Sequence, residues 1–221
     1  VKPRDAAIQA RIASLNQVAP PKPLDPQILA LRDGFTALNS GDVVAAEKRF
    51  QGLLNANPRN PDALGGLGVI RLKQERFADA ERLLSEATRL SGSRKWTEAL
   101  GASRFWLALK EGDRAAAAGD IATARRAYEQ AARIDHSQQR PQAALADLLV
   151  DEGRLIDAEQ AYRQGLAKYP KSLELRRGLA GVLIRQDKVD EALVLADGLT
   201  EAERIELGYG SLKAEQFRAR A

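Results

Sequence analysis

Small residues that recur at an interval of 34 positions constrain the fold of this chain more than any other feature. Gly34 and Gly68 are separated by this interval, and so are the successive residues Ala124, Ala158 and Ala192. A period of this length accommodates two helices and a turn, and the composition suits helices, because alanine and leucine supply much of the 44% of apolar residues. The chain is therefore expected to be an array of helical hairpins, each of which buries its apolar face on the next.

Five units of the pattern can be aligned, over residues 27–60, 61–94, 105–138, 139–172 and 173–206. Each unit has a small residue in its first helix, where two antiparallel helices can approach closely, and an alanine followed by a bulky residue in its second helix. A closing proline is present in two units. The residues at these positions are Gly34, Ala46, Phe50 and Pro58; Gly68, Ala80 and Leu84; Gly112, Ala124 and Tyr128; Ala146, Ala158, Tyr162 and Pro170; and Ala180 and Ala192, after which only Ala196 stands at the bulky position.

These residues resemble the tetratricopeptide repeat (TPR) family over most of the chain. The resemblance implies an all-α fold, a right-handed superhelical solenoid of about five antiparallel helix hairpins without a β-sheet. The expected segments are a helix of a preceding repeat with a proline-rich linker, a first block of two repeats, an inserted helical segment, a second block of three repeats, and part of the first helix of a following repeat. They span residues 1–26, 27–94, 95–104, 105–206 and 207–221. The chain, which has no methionine at its start, is thus expected to be a processed slice of a longer array.

Residues 95–104 interrupt the repeat, because they belong neither to the unit before nor to the unit after. If they extend the first helix of the third unit, they add about 15 Å of helix. Both tryptophans, Trp96 and Trp106, then share one apolar stripe, and we expect them to pack in the core rather than to stack on a ligand. The altered interface is expected to act as a hinge between two rigid blocks, with Gly92 or Gly112 as the pivot.

Catalytic and metal-binding signatures are missing from the sequence. The chain has no cysteine and a single histidine, His136, so no thiolate or paired-histidine metal site is expected. The glycine-rich string at residues 65–68 lacks the lysine and hydroxyl of a phosphate-binding loop, and close helix packing explains it better. The 34 basic and 30 acidic residues alternate along the helices, unlike a nucleic-acid patch. We expect no enzyme activity, no cofactor, no nucleic-acid partner and no membrane insertion of this segment.

A binding surface is expected on the concave side of the solenoid, which the first helix of each unit lines. The candidate residues there are Phe35, Asn39, Lys73, Asp113, Asp147, Asp151, Arg177 and Arg185. Their charges are mixed, which favours a peptide or protein partner over a polyanion.

Two longer strings resemble a narrower group. They are "PDALGGLGVIRLKQERFADAE" at residues 61–81 and "LRRGLAGVLIRQDKVDEA" at residues 175–192, and they are similar to the periplasmic repeat region of the outer-membrane subunits of bacterial cellulose synthases. This resemblance implies a non-catalytic scaffold in cellulose (exopolysaccharide) synthesis and export, located in the periplasm as part of an outer-membrane protein of a Gram-negative bacterium. Its partners would be other envelope or cellulose-synthase complex proteins, with peptidoglycan or glucan as further candidates. Two alternatives remain open: a generic TPR adaptor or co-chaperone, and a carbohydrate-binding solenoid that uses Trp96 and Trp106.

Overall fold

The computed structural model describes residues 8, 9, 11 and 24–220, and of these residues 24–220 form a succession of helices. The α-helices are α1 (Pro26–Asn39), α2 (Val43–Ala56), α3 (Pro61–Lys73), α4 (Phe77–Ser91), α5 (Thr97–Ala117), α6 (Ile121–Ile134), α7 (Arg140–Asp151), α8 (Leu155–Lys168), α9 (Leu173–Arg185), α10 (Val189–Val194), α11 (Glu201–Leu207) and α12 (Tyr209–Arg220). A short 3-10 helix, Arg94–Trp96, precedes α5. No strand occurs in this part of the chain, which confirms the predicted all-α fold. Nearly all of the predicted N-terminal helix and proline-rich linker lies outside the described residues.

Successive helices pack as hairpins, and the repeated small residues lie where these helices touch. The alanine of every second helix is fully buried, at 0% exposure, in Ala46, Ala80, Ala124, Ala158 and Ala192. The bulky side chain that follows fills two gaps at once. A Cβ added to Gly34 would lie 2.8 Å from the Phe50 ring, and one added to Gly66 would lie 2.5 Å from the same ring. One aromatic ring therefore joins its own hairpin to the first helix of the next.

The turns within the hairpins follow from local sequence. Gly41 has a φ of +85°, a left-handed conformation that side chains disfavour, and it ends α1. The next residue, Asp42, accepts a hydrogen bond from the backbone N–H of Ala45 at 2.9 Å and so caps α2. Asp120 caps α6 in the same way, through the N–H of Thr123 at 3.0 Å. Short caps of this kind hold adjacent helices antiparallel.

The interruption lengthens α5, which has 21 residues where α4 has 15. The two halves of this helix align with different repeats, the first with the preceding unit and the second with the following one. Leu100 stands 34 positions after Gly66 and is buried in a hydrophobic cluster with α3 and α4. Gly112 stands 34 positions before Ala146 and lies against Tyr128 of α6, in the cluster that contains Phe105. The N-terminal half of α5 thus completes the first block, and its C-terminal half begins the second.

Trp106 corrects one expectation. Trp96 is buried, with 5% of its surface exposed, but Trp106 remains 42% exposed. Adjacent helical residues point about 100° apart, and Phe105 takes the place in the core that α6 covers. Trp106 is turned away from that core and packs instead on Phe77 at the start of α4.

The C-terminal region also differs from the expectation. The second helix of the fifth unit, α10, has only six residues, and the stretch expected to be one following helix is divided into α11 and α12. The division occurs at Gly208, whose φ of +82° ends α11. Leu207 and Leu212, on either side of it, are buried in the cluster formed by α7–α10. The end of the chain therefore folds back on the fifth hairpin.

Candidate functional site

A polar groove between the first helices of the fourth and fifth hairpins contains three of the six charged residues expected on the binding face. We call it the α7–α9 groove and define it by Arg140, Asp147 and Val150 of α7, Tyr162 of α8, and Glu174, Arg177, Gly178, Gly181 and Arg185 of α9. Gly181 leaves the groove open, since a Cβ built there meets nothing within 4 Å. A chain in extended conformation could approach α9 closely at this point.

Two carboxylates on this face are held by tyrosines at the repeat interval. The hydroxyl of Tyr128 donates to Asp113 Oδ1 at 2.8 Å, and 34 positions later the hydroxyl of Tyr162 donates to Asp147. Burial raises the pKa of the Tyr162 hydroxyl well above its usual value, and Asp147 raises it further, so the hydroxyl remains a donor at any physiological pH. The walls of the groove desolvate the Asp147 carboxylate, which raises its pKa although the side chain keeps an open edge to solvent. Asp147 is therefore an accessible acceptor that its surroundings satisfy only in part.

Arg140 links three first helices across this surface. Its guanidinium donates to Glu174 Oε1 of α9 at 2.6 Å and lies 3.8 Å from Asp113 Oδ1 of α5. The side chain is about half exposed, at 51%, so the pairs contribute little stability of their own. Their effect is to fix the position of the rim beside Asp147.

Arg177 and Arg185 supply free positive charge on the opposite side of the groove. Both are exposed on α9, and within the described part of the chain neither has a hydrogen-bond or ion-pair partner. They stand eight residues apart, about 12 Å along the helix. Planar guanidinium groups bind carboxylates through two parallel hydrogen bonds. The arrangement suits an extended acidic segment whose carboxylates reach the arginines and whose donors reach Asp147.

The structure thus brings together four of the eight expected binding residues. Asp147, Arg177 and Arg185 line the groove, and Asp113 reaches it through Arg140. The other four lie elsewhere: Asp151 is exposed at the end of α7, and the remaining three are Phe35, Asn39 and Lys73 on α1 and α3.

Sequence reasoning missed Arg140 and Glu174. The signal that could have found them is their own spacing, since Arg140 precedes Glu174 by 34 positions, at the start of successive first helices.

The corresponding face of the first block is filled by the chain itself. The ring of Trp96 stacks on Phe35 with centroids 6.1 Å apart, and Lys95 Nζ lies 5.1 Å from the centroid of Phe35. Lys95 also pairs with Asp62 Oδ1 at 2.5 Å. Phe35 is half-buried beneath these groups, which removes it from the open surface.

Within residues 24–220 no cluster of three or more histidine, cysteine, aspartate or glutamate side chains is placed to hold a metal ion. His136 is exposed in the turn between α6 and α7. Among the helices the structure describes, none combines the length and apolar character that crossing a bilayer requires.

Comparison with known proteins gives three findings. A family model described as tetratricopeptide repeat matches residues 37–92 and 149–215. Cellulose synthase operon protein C of Xanthomonas axonopodis pv. citri (strain 306) is 39% identical over 222 residues, which cover 99% of this chain and 14% of that protein. The protein of the same name from Pseudomonas fluorescens (strain SBW25) is 37% identical, over 88% of this chain and 15% of its own length.

This chain therefore spans about a seventh of the length of the curated relatives that it matches. Among solved structures, yeast Tom70 is 22% identical, with a TM-score of 0.49, over 88% of this chain and 40% of that one. The family match covers more than half of the chain. The all-α hairpins and the 34-residue interval agree with it. The chain belongs to the tetratricopeptide repeat family.

Proposed function

We propose that this chain is a non-catalytic TPR scaffold that binds a protein partner during bacterial cellulose synthesis and export. The proposal places it in the periplasm, as part of an outer-membrane protein of a Gram-negative bacterium. Its partners are other envelope proteins or proteins of the cellulose synthase complex. The names of the relatives support the process, since two proteins called cellulose synthase operon protein C match most of this chain.

The α7–α9 groove is the observation that carries the scaffold role. Its two exposed guanidiniums and its partly desolvated Asp147 carboxylate offer charges of both signs with which a peptide ligand can pair. Gly181 of α9 leaves room for a backbone to approach. These features suit a peptide segment with acidic side chains better than an uncharged sugar.

A generic adaptor or co-chaperone would use the same groove and differ only in its partner. The relatives favour the cellulose process over that alternative, because both are named for the cellulose synthase operon.

A matched pair of substitutions tests the proposal in cells that express the full-length protein. Gly181→Leu places a side chain in the groove at a position where a Cβ meets nothing within 4 Å, and Gly52→Leu makes the same change on the exposed side of α2, where a Cβ also meets nothing. We expect Gly181→Leu to reduce cellulose secretion at unchanged protein level, and Gly52→Leu to leave secretion intact. The double variant Arg177→Ala/Arg185→Ala should reproduce the loss. Normal secretion in both groove variants would contradict the proposal.

A further inference from the structure

The part of α5 that extends beyond the end of α6 creates a second surface, which differs in composition from the α7–α9 groove. We call it the α5 notch and define it by Glu98, Gly101, Ala102 and Trp106 of α5, and by Asp135 and Gln138 in the turn after α6. The notch exists because α5 extends beyond the end of α6, so one face of its N-terminal half lacks the paired helix that covers the C-terminal half. The ten interrupting residues therefore leave an uncovered helix face between the two blocks.

Trp106 forms a fixed aromatic wall of the notch. Its ring stacks on Phe77 with centroids 6.0 Å apart and an interplanar angle of 17°, and it meets Phe105 edge-on at 5.3 Å. Arg104, which pairs with Glu81 at 3.1 Å, holds this part of α5 against α4. Because 42% of Trp106 nevertheless stays exposed, part of its aromatic surface is accessible to a ligand.

The floor and rim of the notch complete a site for a flat, neutral, hydroxyl-bearing ligand. Gly101 and Ala102 make the floor shallow, and a Cβ built on Gly101 meets nothing within 4 Å. Glu98 provides a carboxylate on the rim, and Gln138 provides an amide oxygen, since its amide nitrogen donates to Asp135 at 3.2 Å, whereas the lining contains no lysine or arginine. Two acids without a cation repel phosphates, uronic acids and nucleic acids. Carboxylates and amides beside an aromatic face can instead receive the hydroxyl groups of a neutral sugar.

We propose that the α5 notch binds a neutral hexopyranose chain of the β-glucan class. The apolar face of one sugar ring stacks on Trp106, and its hydroxyl groups donate to Glu98 and to the amide oxygen of Gln138. The choice of a β-glucan rests on the proposed function, whereas the neutral-sugar chemistry rests on the notch alone. The surface is separate from the α7–α9 groove, so the chain can hold the exported polymer and a protein partner at the same time.

Titration of the purified chain with cellohexaose tests this site. The chain has two tryptophans, so Trp96→Phe leaves Trp106 as the single fluorophore, and Trp106→Phe leaves the buried Trp96. We expect saturable fluorescence quenching in the first variant and none in the second. By calorimetry, Trp106→Ala should weaken binding about tenfold, the loss of roughly one aromatic stacking contact.

Two glycine variants separate this site from the groove and keep the test independent of the tryptophans. Gly101→Leu fills the notch and Gly181→Leu fills the α7–α9 groove, and neither added side chain starts from a clash. Gly101→Leu should abolish cellohexaose binding, and Gly181→Leu should leave it unchanged. The proposal would be overturned if Gly101→Leu bound cellohexaose unaltered or if the unmodified chain showed no saturable binding. Equally tight binding of polygalacturonate would also overturn it. None of these results bears on secretion in the Gly181→Leu strain, so the two proposals fail separately.

Discussion

Gly65 lies beneath the ring of Trp96, and substituting it tests whether the interrupting residues are an integral part of the first block. A Cβ added to Gly65 would lie within 2.5 Å of three ring atoms of Trp96, far inside van der Waals contact. Alanine favours a helix over glycine by about 1 kcal/mol. Displacing a buried tryptophan costs about 3–5 kcal/mol, as truncation of one does. Gly65→Ala should therefore lower the free energy of unfolding by about 2–4 kcal/mol.

Thermal unfolding followed by far-UV circular dichroism measures this loss. For a chain of this length, 2–4 kcal/mol corresponds to a fall in Tm of roughly 4–16 °C. Tryptophan emission should shift to the red as Trp96 leaves its site. Gly101→Ala is the matched control, since it is the same change in a helix where the new Cβ meets nothing, and it should raise stability by about 1 kcal/mol. If Gly65→Ala stabilised the chain as Gly101→Ala does, the packing of Trp96 on Gly65 would be wrong.

Three further predictions follow from burial, charge and the division of the core. Ala124→Leu should destabilise the chain by about 1–3 kcal/mol in urea titration, because Ala124 is fully buried between helices; a neutral result would contradict the repeat register. Asp147→Asn should raise the free energy of unfolding at neutral pH by less than about 1 kcal/mol, because the raised pKa of Asp147 means that the folded state disfavours its ionised form. This gain in the free energy of unfolding should increase as the pH rises above the usual range of carboxyl pKa values, and it should vanish at acid pH. A gain that is largest in acid would contradict the raised pKa of Asp147. Independent crystal copies should superpose within residues 26–93 and within 105–206 but not across both; identical copies would exclude the hinge.

The hairpins could be predicted because the interaction that builds them is local and periodic. The ring of Phe50 touches Gly34 in the preceding helix of the same hairpin, so one 34-residue period contains this contact. The same reasoning places Asp147 and Arg177 on one face of successive first helices. Their proximity required no knowledge of distant parts of the chain.

The exposure of Trp106 could not be predicted in the same way. Helical periodicity identifies an apolar stripe on α5, but the part of the stripe that is covered depends on where α4 and α6 end relative to it. Since α5 serves two registers, neither neighbour covers its full length. Similarly, Gly208 was visible in the sequence, but its left-handed conformation is stable because Leu207 and Leu212 can both reach the same cluster.

The charged rim of the α7–α9 groove was predictable in position but not in pairing. Spacing locates Arg140 and Glu174 at equivalent places in adjacent units. Whether they pair depends on side-chain conformations and on the separation of α7 from α9, which is set by the packing of Tyr162 against Gly178. The contact is thus a product of tertiary structure.

Site-specific photo-crosslinking at Gly181 tests the central claim, a protein partner in the α7–α9 groove, most directly. A photoreactive phenylalanine analogue would be placed at position 181 of the full-length protein in cellulose-producing cells, and at position 52 as a control, since neither site obstructs a side chain. We expect a light-dependent adduct between position 181 and a protein of the cellulose synthesis or export machinery, absent at position 52 and lost in the Arg177→Ala/Arg185→Ala background. Adducts of equal yield at both positions, or none at position 181 in cells that secrete cellulose, would contradict it.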